Sequence, residues 1–151
     1  GKMIYGQISE AIFILAIPFL YYRLGVKNIL IIGIAAWALR FFFFASGDLE
    51  AYYWMIISGI LLHGICYDFF FVTGYMYTEN KAGEKIKNAA QGLFTVATYG
   101  IGMTIGSWFS GIITDSNTIE GIKNWEEIWM VPAYISGAVL LFLIVFFKEK
   151  K

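Results

Sequence analysis

The chain has 151 residues, 59% hydrophobic and 15% charged, with eleven basic side chains balancing eleven acidic ones. An ordinary soluble domain is about 45–50% apolar and about 25% charged, and a core of this size cannot hide so much apolar surface. The charge balance argues against a nucleic-acid binder, the single cysteine, Cys66, excludes an internal disulfide or a cysteine metal cluster, and the apolar content excludes a disordered chain; an integral membrane protein remains.

A helix needs about 20 mostly apolar residues to cross a bilayer. Five stretches qualify, over about 3–22, 28–45, 52–75, 89–113 and 128–147, and short polar segments separate them. Continuous runs such as Ile29–Ile32 and Phe41–Phe44 do not alternate as barrel strands do, and helices satisfy their own backbone in lipid. The fold class expected is therefore an all-α polytopic transmembrane helix bundle.

In the first stretch Gln7 and Glu10 are three residues apart and share a helix face. An amide beside a carboxylate can donate and accept hydrogen bonds to a polar solute, and a poorly solvated carboxylate can carry a proton. Glu10 lies about 12 residues, or ~18 Å of helix, from the inner end at Tyr22. The alternative is a helix-end glutamate reaching for the outer surface. The second stretch holds Arg40. Its Ile, Leu and Phe residues contribute about −3 to −6 kcal/mol to insertion, enough to offset the ~2.5–3.5 kcal/mol that a central charge costs. A structural ion pair with Asp68, Glu10 or an acid outside the chain is the expected role of Arg40, and the phenylalanine run after it reads as lipid-facing surface.

The third stretch carries His63 and Tyr67, which share a face at i, i+4, with Asp68 flanking it. Rings beside a carboxylate suit a planar ligand with hydroxyls; an interhelix hydrogen-bond network without a ligand is the alternative. The fourth stretch is glycine-rich. Gly102 and Gly106 form GxxxG, and Ser107 with Gly111 repeats the small-residue spacing, which points to close helix packing. There is no phosphate loop, catalytic triad or metal-ligand spacing, and His63 alone cannot make a zinc site. No catalytic residue, metal or cofactor is therefore expected.

If the stretches alternate, Arg23, Lys27, Lys81, Lys85, Lys87, Lys148, Lys150 and Lys151 fall on one side, against Lys2 and Lys123 on the other. That bias predicts a cytoplasmic C-terminus and cytoplasmic Arg23–Lys27 and Thr78–Asn88 loops. Trp54, Trp125 and Trp129 near the outer ends and Tyr21 and Tyr22 at an inner end suit interface belts. No signal-peptide pattern is visible. A start at Gly1 inside a span-like pattern, together with an odd number of spans, suggests a portion of a larger protein.

The loop Arg23-Leu24-Gly25-Val26-Lys27 resembles the R-x-G-[RK] loop of the major facilitator superfamily, although Pro18 and Tyr22 stand where that motif has glycine and aspartate. Gly6-Gln7-Ile8-Ser9-Glu10 with Pro18, Ala36-Trp37-Ala38-Leu39-Arg40-Phe41 and Gly64-Ile65-Cys66-Tyr67-Asp68-Phe69-Phe70 resemble helices eight, nine and ten of the superfamily's nucleoside:proton symporters. Together they cover essentially the whole chain, as the last five of twelve helices. The resemblance implies the C-terminal half of a major facilitator fold, lacking its first helix, in the cell (inner) membrane. It implies that Gln7 and Glu10 contact the nucleoside, Glu10 with a part in proton coupling, and that Tyr67 and Asp68 hold base and ribose. His63 stands where tyrosine is expected, which leaves base preference open and adds a group that titrates near neutrality. Protonation of Glu10 or Asp68 would remove a buried charge and shift the conformations. The implied partners are a nucleoside, a proton, the lipid bilayer and the missing N-terminal helices. An oligosaccharide:proton symporter of the same superfamily, or a membrane assembly subunit that transports nothing, are the rival readings.

Overall fold

The computed structural model describes residues 4–147, so Met3 and the flanking Lys2, Lys148, Lys150 and Lys151 of the charge pattern lie outside the described residues. In chain order the elements are α1 (Ile4–Ser46), α2 (Tyr53–Ala82), α3 (Lys87–Thr95), a π-helical stretch (Val96–Gly102), α4 (Met103–Ser116), the strands β1 (Thr118–Ile119) and β2 (Ile122–Lys123), and α5 (Trp125–Phe146). Among the described residues, four continuous helical segments are long and apolar enough to cross a bilayer, Ile4–Ser46, Tyr53–Ala82, Lys87–Ser116 and Trp125–Phe146. The first contains both of the first two expected spans. Its helical path is interrupted only at Gly25, whose φ of 78° and ψ of 161° belong to a region open essentially to glycine alone. The expected Arg23–Lys27 loop is thus a one-residue break between two arms, residues 4–24 and 26–46.

The chain divides into two units, residues 4–73 with 125–147, and residues 74–124. In the first unit the contacts fix the directions of the helices. Along α2, residues Ile60, Gly64 and Phe69 meet Gly6, Ser9 and Phe13 of the first arm in rising order. The same helix meets the second arm in falling order, Ile56 at Gly47, Gly59 at Phe44 and Phe69 at Gly33. The two arms are therefore antiparallel, and α2 runs with the first. Helix α5 opposes the second arm as well: Trp129 rests on Phe41 and Phe44, and the Lys27 ammonium donates to the carbonyl of Ile144 at 3.0 Å. Ile17, Ile29, Val26, Ile34 and Phe69 make up much of the buried apolar centre, and Trp37 packs on Phe70 and Phe71 with ring centroids 5.4 and 6.1 Å apart.

The phenylalanine run after Arg40 does not simply face lipid. Phe41 stacks on Trp129, Phe43 meets Trp54 edge-on and Phe44 meets Trp129, and only Phe42 of the four is exposed. Four consecutive helical residues point in four directions, so three of them find neighbouring helices whatever their hydropathy.

In the second unit α2 continues to Ala82, and Gly83, at φ 71°, ends it with its N–H on the Glu79 carbonyl. Much of the expected Thr78–Asn88 loop is therefore helix: polar residues there mark where apolar sequence stops, not where the helix stops. Lys87 pairs with Glu84 at 3.0 Å and Glu79 at 3.8 Å. The Tyr75 hydroxyl and the Thr95 hydroxyl share a hydrogen bond of 2.8 Å, and Phe94 lies edge-on to the Tyr75 ring and over Gly74. A tight antiparallel hairpin pairs Thr118 with Lys123 and Ile119 with Ile122. Its turn residues Glu120 and Gly121 both have positive φ, the requirement of a type I′ turn. Within this unit nothing approaches the positions a Cβ would take at Gly92, Gly106 or Gly111, so the close packing expected of the GxxxG face is not made there.

Candidate functional site

The first arm and α2 approach each other at their glycines. A Cβ on Gly64 would stand 2.5 Å from the Ser9 carbonyl carbon and 2.6 Å from the Glu10 nitrogen, and one on Gly6 would stand 3.3 Å from the Ile60 carbonyl oxygen. The buried Ser9 hydroxyl donates to the Leu61 carbonyl at 2.5 Å and pins the arm there. Gln7 and Glu10, flanking Ser9, line a cleft of about 780 Å³. Facing them are Arg40 and Phe44 from the second arm, Ile56, Ile60 and His63 from α2, and Trp125 and Trp129 from α5, with the Gly47–Leu49 connection at one end. That volume lies within the ~300–1,000 Å³ typical of small-molecule sites, which likewise set a few polar groups in apolar walls.

Asp48 at this end shapes its own turn. Its Oδ1 accepts from the Tyr52 N–H at 3.0 Å and the Glu50 N–H at 2.7 Å, and these bonds, that from Tyr52 foremost, hold its carboxyl below the ordinary range.

Arg40 does not form the expected ion pair among the described residues. Its Nη1 lies 2.6 Å from His63 Nδ1 and donates to Cys66 Sγ at 3.6 Å, and its guanidinium carbon sits 5.3 Å from the Phe44 ring centroid. The reason is rotational. Arg40 and His63 occupy facing positions of two antiparallel helices, whereas Asp68 lies more than a turn further along α2, on the face that Gly64 turns toward the first arm.

The five expected binding residues therefore separate. Gln7, Glu10 and His63 line the cleft together, while Tyr67 and Asp68 do not. Tyr67 sits between the rings of His63 and Phe71, at 5.6 and 4.7 Å. Asp68 has no solvent exposure, and neither of its carboxylate oxygens has a hydrogen-bond partner among the described residues. As an anion in that place it would be costly. Sequence reasoning did not place Phe44, Asp48, Trp125 or Trp129 at the site. The tryptophans carried a signal, their position near helix ends, but that pattern alone speaks of the interface with lipid.

The sequence matches the nucleoside H+ symporter family over residues 1–151. It is 36% identical over 157 residues to a putative nucleoside transporter, YegT, of Escherichia coli (strain K12), with 99% of this chain and 37% of that protein covered. The nucleoside permease NupG of the same organism is 36% identical over 146 residues, covering 96% of this chain and 35% of the permease. A crystal structure of NupG superposes with a TM-score of 0.90 at 35% identity, across 99% of this chain and 37% of that one. The chain thus spans little more than a third of the length of the relatives it matches. Its long apolar helices and these likenesses make it part of an all-α polytopic membrane helix bundle. This chain belongs to the nucleoside:proton symporter family.

Proposed function

We propose that the protein to which this chain belongs imports nucleosides by proton symport, and that this portion supplies one wall of the substrate site. The observation that carries the reading is a carboxylate and an amide, Glu10 and Gln7, lining one cleft with His63 and Arg40 between helices long enough to span a bilayer. Intramembrane ionisable groups on such helices usually face a cavity or a partner, and here they face a cavity. Gln7, Glu10 and His63 would contact the nucleoside directly. Tyr67 would act by fixing the His63 ring, and a substrate contact from Asp68 requires a conformation in which its helix face opens.

Protonation of Glu10 or Asp68 removes a charge from a poorly solvated place. The neutral form would favour the states in which that place is shut, and the anion those in which water reaches it. Alternation of two such sets around a midplane site is how secondary transporters of this architecture move solute. The protein would lie in the cell (inner) membrane with the 23–27 and 78–88 segments on the cytoplasmic side, in accord with their lysines and arginine. Its partners would be the nucleoside, the proton, the lipid and the remaining helices of the same chain.

The test is uptake of radiolabelled uridine by the full-length protein in proteoliposomes under an imposed proton gradient. The wild type accumulates uridine; Glu10→Gln exchanges it across the membrane without accumulating it. Concentrative uptake by Glu10→Gln would remove Glu10 from proton coupling, and absence of nucleoside transport by the wild type would refute the proposed function.

A further inference from the structure

Arg40 is the least expected polar group in the cleft wall, and its geometry has a chemical consequence for His63. A guanidinium has five N–H donors, no acceptor and no accessible deprotonated form. With Arg40 Nη1 at 2.6 Å, Nδ1 of His63 must offer its lone pair. The ring is then neutral, with its one proton on Nε2. Three further contacts hold the arrangement: Arg40 donates to Cys66 Sγ, the Cys66 thiol donates to the His63 carbonyl at 3.3 Å, and Phe44 lies under the guanidinium. The His63 ring also packs against Tyr67, which limits its rotation.

We propose that Arg40 is a positioning residue that fixes His63 as the Nε2–H tautomer, making His63 a dedicated hydrogen-bond donor toward an acceptor atom of the nucleobase. The inference rests on the nucleoside reading above. A neutral imidazole free to choose its tautomer can donate or accept at the position facing the solute; one held by Arg40 can only donate. Such a donor favours bases with a ring nitrogen or carbonyl oxygen at the matching place and disfavours analogues with C–H there, because a buried N–H would be left unpaired. The base is the expected recipient because the cleft that His63 lines is otherwise walled by aromatic rings, Phe44, Trp125 and Trp129, which suit a planar base. Glu10 and Gln7, across the cleft, are the groups suited to hydroxyls.

The first test needs no transport. In the full-length protein labelled with [15N]histidine, the signals of His63 are identified by their loss in His63→Leu. At neutral pH their shifts should report a neutral Nε2–H ring. Arg40→Met should give a mixture of tautomers, and Arg40→Lys, which still donates, should restore the single one. An Nδ1–H ring or an imidazolium in the wild type overturns the assignment even if nucleosides bind.

The second test is competition for bound adenosine by 3-deaza and 7-deaza analogues and by deoxyribose analogues. At least one deaza substitution should weaken binding about tenfold in the wild type. The same substitution should cost less than twofold in His63→Leu, whereas in His63→Gln, which keeps a donor near Nε2, most of the penalty should return. If only the deoxyribose penalties disappear in His63→Leu, the donor serves the sugar and the base assignment is wrong. A protein with the expected tautomer that binds no nucleoside overturns the substrate half of the inference together with the proposed function.

Discussion

Gly64→Ala is the substitution that most severely tests how the cleft is built. The new methyl carbon would stand 2.5 Å from the Ser9 carbonyl carbon, 2.6 Å from the Glu10 nitrogen and 2.6 Å from Ser9 Oγ. Two of those atoms are backbone, so no rotamer change relieves the clash and the first arm must move. Alanine in a helix gains about 1 kcal/mol over glycine. Overpacking costs ~1–3 kcal/mol, and loss of the Ser9–Leu61 hydrogen bond adds about 0.5–1.5 kcal/mol. The balance is a net destabilisation of ~0.5–3.5 kcal/mol, with Gln7 and Glu10 displaced along with the arm that bears them. Gly6→Ala is the control on the same interface. Its nearest contacts, 3.3–3.5 Å, are tight but adjustable, so propensity and crowding should cancel to within about 1 kcal/mol. Thermal unfolding of the full-length protein in detergent, paired with nucleoside uptake, reads both effects. Gly64→Ala should melt below Gly6→Ala and transport poorly. A Gly64→Ala protein as stable and as active as the wild type would refute the close approach of these helices.

Gly25→Ala should cost about 1–3 kcal/mol, because φ 78° with ψ 161° is closed to a residue with a Cβ; a melting temperature unchanged from the wild type would contradict the break between the arms. Asp48 gives a pH dependence of known sign. Its carboxyl is held below the ordinary value of 3.8 by the Tyr52 and Glu50 N–H groups, so its contribution is present above that pH and is lost as pH falls through the folded-state value. Between pH 6 and pH 3 the melting temperature of Asp48→Asn should therefore fall less than that of the wild type, and parallel curves would count against the turn. Phe44→Ala should loosen α5 from the second arm by ~2–4 kcal/mol, since it removes a ring that meets Trp129 at 5.2 Å, and an unchanged melting temperature would remove Phe44 from the contact.

Much of the architecture is written in hydropathy. The apolar stretches lie within helices, and Gln7 and Glu10, out of place in one, do line a cleft. Contacts across helices are less legible. The close approaches across helices of the first unit fall at Gly64, Gly59 and Gly33, outside any GxxxG pair, while Gly106 and Gly111 meet nothing within their own unit. A small residue permits approach, but only the opposite helix decides whether approach occurs. Arg40 went to a ring nitrogen rather than a carboxylate because pairing follows the rotation of two helices about their axes, which spacing along one helix does not reveal. Asp68 is polar and stands only five residues after His63, yet the 100° turned per residue on a helix carries it away from the cleft and into the packed interior. The β-turn at Glu120 and Gly121 left a glycine as its signal, too short for a strand pattern to accompany it.

The central claim is that the face of Gln7 and Glu10 borders a path for polar solute. Gln7→Cys, in the full-length protein cleared of other reactive cysteines, tests it with a membrane-impermeant thiol reagent; the native Cys66 is fully buried and serves as the unreactive reference. Labelling at position 7 should be fast, and saturating nucleoside should slow it several-fold. Labelling no faster than that of Cys66, or indifferent to nucleoside, would contradict the account.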